Sequence, residues 1–202
     1  MKIPKIEISY SNIYDIAWSK AKTIKLSKQR QINGYNYAIN LQKAWVKNAR
    51  KILSYMSELT GLKWHRNEID ATVSFNAPYS FSHPLTIYIY DIQFGIVNLV
   101  HELCHILLWA NKNKVRWPES KDGIYRKYKN ETYITKLHLP VHAIVILVIK
   151  KIYGRNSEKY LSKERWWEIW PRDKRIRGED YFRSWKIVEK EGPKKILKSV
   201  IK

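Results

Sequence analysis

His101-Glu102-Leu103-Cys104-His105 restricts what this chain can become more than any other stretch, and it lies inside the longest amphipathic run, Asp91 to Asn111. At about 3.6 residues per turn, positions i and i+4 share a helix face, so a helix here projects both imidazoles the same way. Two neutral imidazole nitrogens side by side suit a tetrahedral Zn²⁺. Glu102 would lie at the edge of the same site, where its carboxylate can take the proton of a water attacking a carbonyl. Ile96, Leu99, Val100, Leu103, Ile106 and Leu107 supply a broad apolar surface at helical spacing, as a helix buried in a domain requires. Asp91 is the expected N-cap. Pro84 to Tyr90, rich in β-branched and aromatic residues, reads as a strand entering that helix. The bland alternative is a pair of core or surface histidines.

A strand followed by a HELCH helix resembles the zincin superfamily of metallopeptidases. His101 to Trp109, HELCHILLW, is similar to the HELGHxLLH-type segment of the ImmA/IrrE group among the gluzincins. That resemblance implies an α+β zincin-like fold with N-terminal helices, a small mixed sheet, the HExxH helix and further C-terminal helices. It implies a zinc-dependent metallopeptidase acting on a peptide or protein substrate, with Glu102 as general base. In the group, the third ligand is a glutamate at the start of a further helix that ends in a Leu-x-Pro element. Asn130-Glu131 through Leu139-Pro140 has a similar outline, which makes Glu131 the third ligand by resemblance.

The residues themselves offer two more candidates. His138 and His142 are a second i, i+4 pair, and histidine is the commonest metal ligand. A helix from near Asn130 to Lys151 would carry Glu131, His138 and His142 along one approximate face, with Pro140 expected to kink or split it. From i to i+11 is roughly 16 Å, so all three cannot reach one ion. Whichever is not a ligand would line the cleft or support a ligand. Tyr125, Tyr128, Tyr133 and His138 are candidates for stabilising an oxyanion, a role zincins often give to Tyr or His.

Length and composition bound the rest. At 202 residues and 45% hydrophobic, the chain can bury a real core and reads as one domain, residues 1–202. Cys104 is the only cysteine, so neither an internal disulfide nor a cysteine-rich zinc ribbon is available. No uninterrupted run of 18 apolar residues is present and no apolar leader follows Met1, which predicts no membrane span and a cytoplasmic protein. The formal charge of +20 implies affinity for polyanions or a lysine-rich solvated surface.

Residues 1–60 read as mainly helical: Ser11 to Leu26, a break at Asn33-Gly34, then Tyr35 to Leu59 ending at a Gly61 cap. The second helix would expose Lys43, Lys47, Arg50 and Lys51 as a solvated face or a nucleic-acid contact. Leu62 to Trp64 and Ala71 to Phe75 read as short strands, with Leu85 to Tyr90 as an edge strand onto which a peptide could add. His65 and His83 read as ordinary surface or turn residues. Residues 111–130 read as a long loop.

Residues 155–202 form a basic, aromatic-rich segment, including Trp166, Trp167, Trp170, Arg172, Lys174, Arg175, Arg177, Tyr181, Phe182 and Trp185. Such interleaving either stacks bases and neutralises phosphates or anchors the segment on the core. Pro193 to Lys202 reads as a basic tail. The alternative function is therefore a basic nucleic-acid-binding protein with a structural or inactive zincin core.

Overall fold

A computed structural model describes residues 2–21, 27–120, 122–162 and 178–202. The Trp166–Arg177 portion of the aromatic, basic segment lies outside the described residues. The described chain is a mixed α+β structure of helices and one four-stranded sheet of order β1-β2-β4-β3. Its strands are β1 (Lys5–Tyr10), β2 (Glu68–Ser74), β3 (Phe81–Ser82) and β4 (Leu85–Tyr88). β1 runs parallel to β2 and β2 parallel to β4, with Ile6 opposite Ile69 and Val73 opposite Ile87; β3 is antiparallel to β4.

β1 corrects the mainly helical expectation for the N-terminus. Its side chains alternate strictly, with Ile6, Ile8 and Tyr10 buried and Lys5, Glu7 and Ser9 exposed, the period of a half-buried strand. Gln42 from a neighbouring helix accepts from the Ile8 N–H at 2.7 Å and reaches the Ile6 carbonyl at 3.4 Å, covering part of the sheet edge. Leu62–Trp64 is not a strand: Leu62 and Trp64 are buried by packing, and Trp64 Nε1 donates to the Leu53 carbonyl at 3.1 Å. β4 is an inner strand, because Phe81 and Ser82 pair with Thr86 and Leu85, and Ser80 Oγ accepts from the Tyr88 N–H. The outer position expected for it belongs to β3.

Among the described residues, three helices precede β2: α1 (Asn12–Ala21), α2 (Lys28–Val46) and α3 (Ala49–Thr60). The chain breaks at Lys47-Asn48 rather than at Asn33-Gly34. Gly34 sits inside α2, where a Cβ would meet the Tyr10 ring at under 3.0 Å; the glycine lets strand and helix approach. Gly61 ends α3 in the left-handed region, φ +67°, as expected.

α4 (Ile92–Ala110) and α6 (Tyr133–Tyr153) form the central pair. Asp91 caps α4, accepting from the Phe94 N–H at 2.8 Å. The connection between them is structured: two 3₁₀ turns, Lys112–Lys114 and Pro118–Ser120, and the short α5 (Gly123–Lys127). α6 begins after Thr132, whose hydroxyl accepts from the Thr135 N–H at 3.0 Å, so Thr132 replaces Asn130 as the cap. α6 also runs through Pro140. The proline removes one helical hydrogen bond, while fully buried Leu139 and Val141 hold the segment in place.

Both helices are long and apolar enough to cross a membrane, against the expectation from uninterrupted runs. In the fold, 78% and 61% of their apolar windows are buried inside the protein, as the core helices of a folded domain are. The short α7 (Glu158–Leu161), then α8 (Gly178–Glu191) and α9 (Pro193–Val200), complete the described structure. α9 gives the basic tail a buried face, Ile196, Leu197 and Val200, and Ile201 bridges to Val115.

Candidate metal centre

α4 carries His101 and His105 one turn apart, and α6 packs against it. The two Nε2 atoms lie 3.3 Å from each other. α6 brings His138 to the same place: its ring centroid is 5.0 Å from that of His105 and 5.4 Å from that of His101. One nitrogen from each of His101, His105 and His138 lies within 4.8 Å of the other two. That trio could hold a metal ion, and two helices of the rigid core position it.

The imidazoles of the trio are held neutral. His101 is pushed well below the usual imidazole range by burial first, then by neighbouring His105, His138 and His142. Burial and His138 and His83 do the same to His105. His138 is lowered by burial to about 4. Neutral imidazole is the form that binds a metal. His138 Nδ1 lies 2.8 Å from the Ile134 carbonyl; that oxygen can only accept, so Nδ1 carries the proton and Nε2 presents a lone pair.

Glu102 is buried beside the cluster, and burial raises its carboxyl to about 8. His142, on the next turn of α6, places its ring 5.6 Å from both His101 and His138. Its Nδ1 is 3.1 Å from Ser184 Oγ on α8. Tyr181, Ser184 and Trp185 of α8 all contact the His142 ring.

Glu131 lies elsewhere. It sits in the turn before the Thr132 cap, and its carboxylate pairs with the Arg183 guanidinium. Because α6 starts only at Tyr133, Glu131 is not on the helical face that carries His138, and the corner expected for it is taken by His138. The tyrosines proposed for the oxyanion are also displaced. Tyr133 is 52% exposed and engages Glu119, Tyr125 is buried under α9, and Tyr128 donates to Glu191 at 2.7 Å.

Sequence reasoning placed Tyr181 in the aromatic, basic segment and not at the site. Its ring centroid is 4.2 Å from that of His138, 6.1 Å from His142 and 6.3 Å from His101. Burial, then Glu102, Tyr79 and Asp180, push its phenol well above the usual tyrosine range. Asp180 fastens this part of α8 to the start of α6: its carboxylate accepts from Thr132 at 2.6 Å and from Thr135 at 3.1 Å. Tyr181, Trp185 and Val188 at helical spacing were the signal that this part of the segment anchors on the core. His83, in the turn before β4, is close enough to His105 to influence its charge, so it too belongs to the surroundings of the site.

Comparison with protein-family models, with curated proteins and with solved structures gives no match.

Proposed function

We propose that this protein is a zinc-dependent metallopeptidase of zincin type, with His101, His105 and His138 as ligands and Glu102 as the general base. The observation that carries the reading is the mutual approach, within 4.8 Å, of three imidazole nitrogens, two of them from the HExxH motif. The donor set suits the metal: neutral imidazoles are common zinc ligands, and three of them leave a coordination position open for catalysis. A bound zinc supplies an acidified water and a polarised carbonyl.

The chain's own groups supply the rest. Glu102 accepts the proton of the attacking water and passes it to the departing amine nitrogen; burial raises its carboxyl to about 8, and a divalent cation beside it would favour the ionised form that a base requires. Tyr181 stays protonated at neutral pH and donates its hydroxyl hydrogen to the oxygen that gains charge as water adds. The Ile134 carbonyl fixes the ring of His138, and Ser184 holds that of His142.

The test is metal analysis of the purified protein together with peptide-hydrolysis assays on wild type and Glu102→Gln. One zinc per chain in both, with hydrolysis in wild type alone, is the expected result. A folded protein that binds no zinc overturns the reading.

A further inference from the structure

We propose that the outer face of α2 is a docking surface for an anionic lipid membrane. Ile32, Tyr35, Ile39 and Val46 are 43%, 49%, 51% and 59% exposed. At about 100° per residue they fall within roughly a 60° sector, and at 1.5 Å per residue they extend over about 21 Å. They share one face, with exposed Asn36 and Lys43 beside them, while Tyr37, Ala38, Leu41 and Trp45 hold the opposite face of the helix in the core. Large apolar side chains gathered on one exposed helix face mark an interaction site.

Charge decides what covers it. From Ile16 to Ser57 the sequence contains no acidic residue. Lys28, at the N-terminal end of the stripe, and Lys43 and Lys47, along one flank, are exposed. Arg50 and Lys51 follow on α3, also exposed. Aliphatic and tyrosine side chains at the level of the lipid headgroups, bordered by lysines, are the arrangement of an interfacial helix on an anionic bilayer. A second copy of the chain fits less well, because two α2 faces would oppose lysine to lysine with no carboxylate on either helix. Nucleic acid fits less well too: lysines neutralise phosphates, but three of the four apolar residues are aliphatic, and the one ring, Tyr35, already packs edge-on with Tyr10 at 4.9 Å.

The experiment is flotation of the full chain with vesicles of phosphatidylcholine alone and of phosphatidylcholine with phosphatidylglycerol. Two variants are compared with wild type: Ile32→Asn/Ile39→Asn/Val46→Asn, which removes the aliphatic stripe, and Lys28→Gln/Lys43→Gln/Lys47→Gln, which removes its cations. Circular dichroism confirms that each is folded. The expected result is wild-type binding to the anionic vesicles only, weakened at least about tenfold by either variant. No binding by wild type overturns the proposal. So does binding that the aliphatic variant leaves unchanged, because the attraction is then charge elsewhere on the surface. Light scattering and a single-stranded oligonucleotide titration complete the test. Self-association or nucleic-acid binding that the aliphatic variant abolishes, without vesicle binding, assigns the face to that partner and overturns ours. None of these readouts depends on the metal centre.

Discussion

Tyr181 on α8 lies against His138 on α6, their ring centroids 4.2 Å apart and their planes tilted by 51°. The contact joins two residues 43 positions apart and puts a phenol beside a trio of histidines. In the metallopeptidase reading it makes Tyr181 the oxyanion donor. Tyr181→Phe keeps the ring and removes only the hydroxyl. It should leave zinc content unchanged and lower kcat by about 10²-fold, the usual scale for one lost oxyanion donor. Steady-state kinetics beside metal analysis check this; a fall in zinc content would instead make the hydroxyl a support of the ligand set.

The ligand set can be decided by subtraction. His138→Ala should abolish stoichiometric zinc binding, whereas Glu131→Ala should retain it, because Glu131 is committed to Arg183 outside the trio. The Glu131 variant should also change stability by no more than about 1 kcal/mol, since Arg183 is largely solvated in that pair. Zinc lost from the Glu131 variant and kept in the His138 variant would reverse the assignment.

Glu102→Gln is nearly isosteric and removes the proton acceptor alone. Peptide hydrolysis should fall to background while zinc content and thermal stability stay close to wild type. Persistence of hydrolysis would show that another group handles the proton.

Acid should weaken a clasp outside the histidine trio. Glu191 on α8 accepts from Lys127 at 2.5 Å, from Tyr128 at 2.7 Å and from Lys195 at 2.9 Å. These bonds, led by Lys127, lower its carboxyl from 4.5 to about 2. A carboxyl held lower in the folded state than in the unfolded one stabilises the fold above the unfolded value. That contribution is lost as pH falls from about 4.5 to about 2. The Tm difference between wild type and Glu191→Gln should therefore be constant above pH 5 and shrink through this window. A difference that persists at pH 2 would mean that packing, not ionisation, supplies the effect.

Gly34→Ala tests how tightly β1 and α2 approach. Alanine gains helix propensity, but its Cβ would clash with the buried ring of Tyr10. Overpacking should prevail, costing about 1–3 kcal/mol, measurable by denaturant unfolding.

Much was legible because it is local. The spacing of His101 and His105 sets a shared helix face, Asp91 sets where that helix begins, and Gly61 sets where α3 ends. Each depends on backbone geometry within a few residues. β1 was equally legible in the alternation of Ile6, Ile8 and Tyr10, but short strands carry little weight against the long helical patterns beside them. The break near Gly34 failed because glycine has two uses, breaking a helix or admitting a neighbour, and Tyr10 decides between them from outside the helix.

The sequence by itself determined a helix with two imidazoles and a glutamate on or beside one face, the amphipathic elements that bury around it, and a strongly basic surface. Only the tertiary structure decided that His138 rather than Glu131 completes the trio and that Tyr181 stands over it. The helix cap at Thr132 sets the rotation of α6, the packing of α4 on α6 sets which turn of α6 meets His101, and the Asp180 clasp sets the register of α8. Such registers arise from contacts between elements distant in sequence, which no local spacing specifies.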